Sequence, residues 1–440
     1  MEKTKSRKLH IVFESEVPAG HSAAKPKQQG QAGQNAAASE AKGSVWVYMA
    51  LASIPLVLVL GNSMLVPILP DLQERMGISR FQSSLVITLF SITAGLIIPV
   101  SGYLSDRFTR KGVIIPSLIV YGAAGVLAGF GAVWKSYTVL IIARAIQGLG
   151  AAGTASIAMA LVGDLYKGGT QSKALGLIEA SNGAGKVLSP IIGSLLALLV
   201  WFAPFFAFPI FCLLSLLAVI FIIKEPKKSQ QDKKANKLGP YIKQIGTILK
   251  EKGRWLITSF LAGSLALFIL FGVLFYLSNI LEEDPYKIDG VKKGLVLAIP
   301  LLGLVITSYT TGALIKKNGT VMRWLINIGL VIMTVTLALT IFLNTNMYLL
   351  IGLLTLSAIG TGLLLPCLNS MITGAVKQEQ RGMITSIYNS LRFIGVAFGP
   401  PIFEWLMNKS HAIVFISVSS LSLLTLGLAF FLIKPQGTIG

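Results

Sequence analysis

Charge is scarce in this chain. Only 13% of its 440 residues are Asp, Glu, Lys or Arg, whereas 53% are hydrophobic and the mean hydropathy is +0.73. A soluble domain carries about 25% charged residues, so the balance excludes an ordinary water-soluble fold and points to a polytopic membrane protein. Acids are the scarcest, 18 Asp and Glu against 38 Lys and Arg, for a net charge of +20. That excess does not imply nucleic acid, because the basic residues sit in short clusters between hydrophobic runs and form no single face. Cysteine is nearly absent. Cys212 and Cys367 both lie in apolar runs and imply neither a disulfide framework nor a metal site. The three histidines, His10, His21 and His411, are dispersed. No nucleophile with a positioned base and no ligand cluster appears, which argues against an enzyme and implies no metal or cofactor. The Gly-x-x-x-x-Gly-Lys-Ser/Thr phosphate loop of a nucleotide-driven pump is missing as well.

What is present is a series of runs long enough to cross a bilayer, each needing about 20 apolar residues. They fall at 44–68, 81–104, 111–133, 136–163, 171–200, 203–224, 254–281, 292–315, 320–343, 347–373, 380–408 and 411–433, twelve spans in all. Residues 1–43, rich in Ala, Gln, Gly and Ser, lack apolar periodicity and read as a disordered cytoplasmic tail. A first apolar run that starts near Ser44 and is long enough to span is not a cleaved signal. Lys and Arg resist translocation and collect on the cytoplasmic side. Most of them fit that side when both termini are inside, which predicts a multi-pass protein of the cell membrane. The largest contribution comes from the basic stretch 225–253, which separates a first half, 44–224, from a second, 254–433, followed by a short tail, 434–440. The halves match at one offset of 210: Gly102 with Gly312, Gly150 with Gly360, Gly185 with Gly395, Pro190 with Pro400. Agreement at a constant shift indicates an internal repeat.

The loop after span two reads Gly102-Tyr-Leu-Ser-Asp106-Arg107-Phe-Thr-Arg110-Lys111, in which Asp106 can pair with a nearby guanidinium. Span five carries Gly185, Ser189, Pro190, Gly193 and Ser194, and span eleven repeats the Gly399-Pro400 step. Glycine allows close helix contact, and proline removes a backbone donor and bends the helix. The loop resembles the signature loop of the major facilitator superfamily, with Thr109 where that family usually has Gly. Span four, Arg144-Ala-Ile-Gln147-Gly-Leu-Gly150, and span five are similar to the buried-Arg and antiporter motifs of its twelve-helix drug:proton antiporters. The resemblance implies an all-α membrane fold of two pseudo-symmetric six-helix halves. It also implies proton-coupled efflux of small amphiphilic compounds by alternating access, by a monomer whose partners are the substrate, protons and lipid.

Charges inside spans are expensive unless paired or facing a cavity. Away from the ends of the spans there are five: Arg144, Glu179, Lys186, Arg392 and Glu404. Glu404 lies towards the outer end of span eleven and is expected to reach the interface. Glu179, Asn182, Gly183, Lys186 and Pro190 recur at spacings of three and four, so they share one helical face that must line the interior. Seven residues, about 10.5 Å, separate Glu179 from Lys186, so each is expected to find a partner elsewhere. Arg144 and Lys186 fall at similar depth. Many drug antiporters carry an acid in span one, where this chain offers Asn62, and Glu179 becomes the proton-coupling candidate by elimination, with Arg144 adjusting its affinity. Gln147, Asn182, Lys186, Arg392, Tyr276 and Tyr388 are the candidates for the substrate cavity. Three interior cations favour an anionic or carbonyl-rich cargo, such as a siderophore or lipid headgroup, over a cationic drug. Proton-driven uptake is the nearer competitor to export.

Overall fold

In a computed structural model the described residues are 45–166, 168–225, 238–315, 318–343, 346–374 and 378–433. The predicted tails, 1–43 and 434–440, and 226–237 of the linker lie outside them. The described residues form one compact unit.

Every regular element among the described residues is a helix. Span one runs Val45–Ser63, with Pro55 inside, and continues through a 3-10 turn, Val66–Ile68, into a short helix, Leu69–Met76. Gly77, at φ 64, ends that helix in the left-handed conformation, which a side chain would strain. Span two, Arg80–Arg107, begins with a reciprocal capping box. Ser79 Oγ accepts from the Gln82 N–H and Gln82 Oε1 from the Ser79 N–H. Span three is Arg110–Val133. Its cap is Thr109, whose Oγ1 accepts from the Gly112 N–H at 2.9 Å. The residue that departs from the family loop therefore supplies the first helical donor with a partner, at a φ of −132 that needs no glycine. Span four is broken into Tyr137–Ala151 and Ala155–Leu165. Span five is Gly168–Ala197 and span six Ala203–Phe221. Span seven belongs to a 43-residue helix, Leu238–Ile280, so the second part of the expected linker, 238–253, is helical and continues into the membrane. Spans eight to twelve are Gly290–Leu314, Gly319–Thr340, Met347–Gly374, Gln378–Met407 and His411–Leu432.

Ten of these segments are long and apolar enough to cross a membrane by length and composition. The other two, spans five and eleven, are 30 residues each and hold Glu179, Lys186, Arg392 and Glu404. Their polar content fits interior rather than lipid-facing helices.

The packing repeats at a step of six spans. Span five lies on one, three on four, two on four, and three on six; eleven lies on seven, nine on ten, eight on ten, and nine on twelve. Glycine makes the equivalent contacts close. A Cβ on Gly185 would meet Leu56 and Val59 of span one, and a Cβ on Gly399 would lie 2.6 Å from the Phe268 carbonyl of span seven. Two seams join the halves, span two on eleven and span five on eight. The first is closed from end to end: Thr88 Oγ1 donates to the Ala397 carbonyl at 2.7 Å, and Ser390 Oγ donates to the Gly95 carbonyl at 2.6 Å. Further along, a Cβ on Gly102 would sit 3.4 Å from Ser386 Cβ. The second closes tightly at one end, where a Cβ on Gly294 would lie 2.6 Å from the Pro190 carbonyl. At its other end Gly176 and Gly312 have nothing within 4 Å of a Cβ.

Candidate functional site

The signature loop folds into a charge network at the end that the Lys and Arg distribution assigns to the cytoplasm. Arg110 Nη1 contacts Asp106 Oδ1 at 2.5 Å and donates to Ser105 Oγ at 2.7 Å, while its Nε reaches Asp164 Oδ2 at 2.9 Å. Spans two, three and four are thereby tied together. Span six joins them through Glu225, which accepts from the backbone N–H groups of Arg110 (2.6 Å) and Lys111 (2.9 Å). Lys111 Nζ donates in return to the carbonyls of Ile220 and Ile223. An acid at a helix start and a cation at a helix end each match the local dipole. Arg107 is outside the network; it donates to Tyr103 Oη at 3.3 Å and lies over the Phe108 ring.

Arg144 is fully buried without a carboxylate. Its Nε donates to the Val86 carbonyl at 2.9 Å, Nη1 to Gln147 Oε1 at 2.6 Å and to the Gly61 carbonyl at 3.3 Å, and Nη2 to Asn62 Oδ1 at 3.0 Å. Phe90 faces the guanidinium at 4.5 Å. Neutral acceptors from spans one, two and four therefore hold the charge, and the structure joins Arg144 to neither Glu179 nor Lys186. Gln147 belongs to this cage rather than to a cavity: its Nε2 turns towards Gly125 of span three and is buried without a partner.

The remaining interior cations, Lys186 in the first half and Arg392 in the second, are near enough to interact. On span five, Ser181 bonds to the Ala52 carbonyl of span one at 2.8 Å, and Gly183 abuts Val305 of span eight. Glu179, Asn182 and Lys186 occupy the face between these contacts. On span eleven, Tyr388 stacks on Phe260 of span seven at 5.8 Å and Ser390 bonds to span two. Asn389 and Arg392 lie between. Lys186 interacts electrostatically with both Glu179 and Arg392. Arg392 Nη1 donates to Asn389 Oδ1 at 3.3 Å, and Asn389 Nδ2 donates to Ser156 Oγ of span four at 3.1 Å, a polar link between halves. Arg392 Nε is buried and unpartnered. Pro190 has no N–H to offer the Lys186 carbonyl four residues earlier, which leaves another polar group on this face. The partners expected for Glu179 and Lys186 are not found among the described residues: neither has an ion pair, and Glu179 is exposed.

Two aromatic candidates serve packing. Tyr276 is buried edge-on against His411 and Phe415 of span twelve, and Tyr388 is covered by span seven, its ring 5.4 Å below the Arg392 guanidinium. Glu404 departs from expectation. It is 3% exposed, not at an interface, and its Oε2 lies 3.8 Å from Arg80 Nε. Arg80 Nη2 also contacts Glu283 Oε1 at 2.6 Å, and Gln73 Nε2 donates to Asn279 Oδ1 at 3.3 Å. Close by, Lys293 pairs with Glu282 in the same half. Burial pushes the Glu282 carboxyl up from its ordinary value, and Lys293 opposes the shift. Sequence reasoning missed the contacts between the halves because Gln73 and Arg80 lie near one loop and their complements, Asn279, Glu283 and Glu404, lie 200 or more residues away. Among the described residues no group of three or more His, Cys, Asp or Glu is placed to hold a metal ion.

Two six-helix repeats packed in register, with polar residues turned inward on the less apolar helices, define a polytopic carrier. The family model of the Major Facilitator Superfamily matches residues 51–400 and 283–438, and the chain belongs to that superfamily. It is similar to the bacillibactin exporter of Bacillus subtilis, 44% identical over 392 residues, 88% of this chain and 96% of the relative. It is also similar to the multidrug efflux protein YfmO of the same organism, 28% identical over 81% of this chain and 84% of that one. Among solved structures, a bacterial homologue of the human lysosomal transporter Spinster matches with a TM-score of 0.70 at 15% identity, covering 88% of this chain and 96% of the other. That likeness concerns the fold. The protein is thus a multi-pass secondary transporter.

Proposed function

We propose that this transporter exports a small anionic amphiphile of siderophore type, by alternating access and at the expense of a proton gradient. The observation that carries the reading is the Lys186 and Arg392 pair, one cation from each half, interacting with each other, with Glu179 near Lys186 but in no ion pair and with Arg392 Nε idle. Two like charges facing one another are unfavourable until an anion lies between them. A guanidinium and an ammonium supply directional and point-charge recognition of phenolate or carboxylate oxygens. The relative named for bacillibactin export supports this cargo class, and its 44% identity runs along nearly its whole length. Proton-driven export of cationic drugs is the second reading, favoured by the multidrug efflux relative at 28%. Glu179 serves as the proton site in either case: it is the acid on the same face as Lys186, and exposure lets it exchange protons with water.

With both termini in the cytoplasm, the end closed by Arg80 and Gly294 is external, and the parted ends of spans five and eight admit cargo from inside. The test is reconstitution in liposomes under an imposed proton gradient, comparing a catecholate siderophore with a cationic dye. Gradient-dependent movement of the siderophore out of the compartment facing the basic linker is expected. Movement of the dye alone, or uptake in the opposite direction, overturns the reading.

A further inference from the structure

We infer that Arg80 holds the outer gate shut as an ionic latch between the halves, and that outward opening requires both of its ion pairs to part. Arg80 is the first residue of the span two helix. A cation there opposes the helix dipole, so it contributes nothing to the helix that carries it, and the capping box already secures that terminus. Its partners both belong to the other half. Glu283 stands in the loop after span seven at 2.6 Å, and Glu404 on span eleven at 3.8 Å.

Glu404 decides the matter. A carboxylate that is 3% exposed is unfavourable without a counter-charge. Asn408 Nδ2 donates to its Oε1 at 3.1 Å, but Oε2 has no hydrogen bond, and Arg80 is the cation within ion-pair range. The acid is thus stable in its buried place only while the halves are together at this end. Neutral links lie on the same level: Gln73 to Asn279, and Ser278 Oγ to the Val66 carbonyl at 2.9 Å, each again joining one half to the other. At the opposite end of the five–eight seam a Cβ on Gly176 or Gly312 would meet nothing within 4 Å, so no contact closes the seam at those glycines. Closure is therefore built at the Arg80 end from polar pairs that water can replace, a bond type suited to a contact that must break and re-form.

The experiment places a reporter away from the latch. Ala397 is fully buried on the span two–eleven seam, and Ala397→Cys adds only a thiol. The full chain in membranes is exposed to an external, membrane-impermeant maleimide, with labelling rate as the readout. Arg80→Gln should raise that rate by at least about tenfold, since a buried charge that has lost its partner favours the opened state. Glu283→Gln combined with Glu404→Gln should do the same, and it carries the expectation alone if Arg80→Gln fails to accumulate. The charge exchange Arg80→Glu with Glu283→Arg, in the Glu404→Gln chain, should return labelling to the parental rate, which a role in mere stability would not. Unchanged labelling in the neutralised variants, or no recovery on charge exchange, overturns the latch.

Discussion

Two interior sites in this transporter hold positive charge, and they hold it in opposite ways. Around Arg144 the first half has arranged four acceptors and an aromatic face within one cage, and four hydrogen bonds are in place. At Lys186 and Arg392 the two halves present charges that act on each other, Glu179 acts on Lys186 without an ion pair, and one guanidinium donor is idle. A buried cation whose donors are engaged by its own bundle ties helices together. One whose donors face a like charge across a moving interface is left for something that comes and goes. The difference lies in satisfaction, not in residue type, and it predicts opposite responses to substitution.

The largest effect is expected at the cage. In Arg144→Lys a point charge replaces a planar fork, so Asn62 Oδ1, Gln147 Oε1 and the Gly61 carbonyl cannot all keep a partner. Each buried group left unpaired costs about 1–3 kcal/mol, and the stability of the purified chain should fall by roughly 3 kcal/mol with loss of transport. Measurement of the unfolding midpoint checks this; an unchanged midpoint would break the contrast. At the midline the pattern should invert. Lys186→Gln and Arg392→Gln each remove a charge that has no ion pair among the described residues, so stability should hold within about 1 kcal/mol or rise. Transport of an anionic cargo should fall by about tenfold or more in each, while a cationic dye is unaffected or moves faster. Equal loss of both cargoes would mean that the pair supports the fold instead.

Glu179 sharpens the comparison from the acidic side. It is exposed and has no ion pair, so Glu179→Gln should leave the midpoint where it is. Its expected effect is on coupling: downhill movement of cargo persists, while accumulation driven by an imposed proton gradient disappears. Undiminished gradient-driven efflux in this variant would remove Glu179 from the mechanism.

How much of this was legible in the sequence varies with the range of the contact. The repeat was readable because a constant shift of 210 preserves glycines that must let backbones approach, and Gly185 and Gly395 do make equivalent contacts, with spans one and seven. The face bearing Glu179, Asn182 and Lys186 was readable from helical spacing, and the pairing of Asp106 with Arg110 from a separation of four. Placements that depend on another helix were not. Gln147 and Asn62 looked like a cavity residue and a missing acid, yet both accept hydrogen bonds from Arg144. Tyr276 and Tyr388 had the composition of a cavity wall and the burial of a core. Glu404 looked interfacial because nothing near it in the chain reveals Arg80, 324 positions away.

A small change in stability is also expected where the two sites can be made alike. Asn62 Oδ1 already accepts from Arg144 Nη2 at 3.0 Å, so Asn62→Asp replaces one acceptor by a charged one of nearly the same shape. The cage should tolerate it, with a midpoint shift worth about 1 kcal/mol or less. Coupling should change more. The substitution adds a second proton-binding group to the interior, on span one, where many drug antiporters carry an acid. If Glu179 is the coupling group only because that acid is lacking, the double variant Asn62→Asp with Glu179→Gln should regain part of the gradient-driven efflux that Glu179→Gln loses. Recovery would show that the Arg144 cage is quiet for want of a titrating partner. Failure to recover, with normal stability, would show that its place within one half isolates it from the alternation that Lys186 and Arg392 straddle.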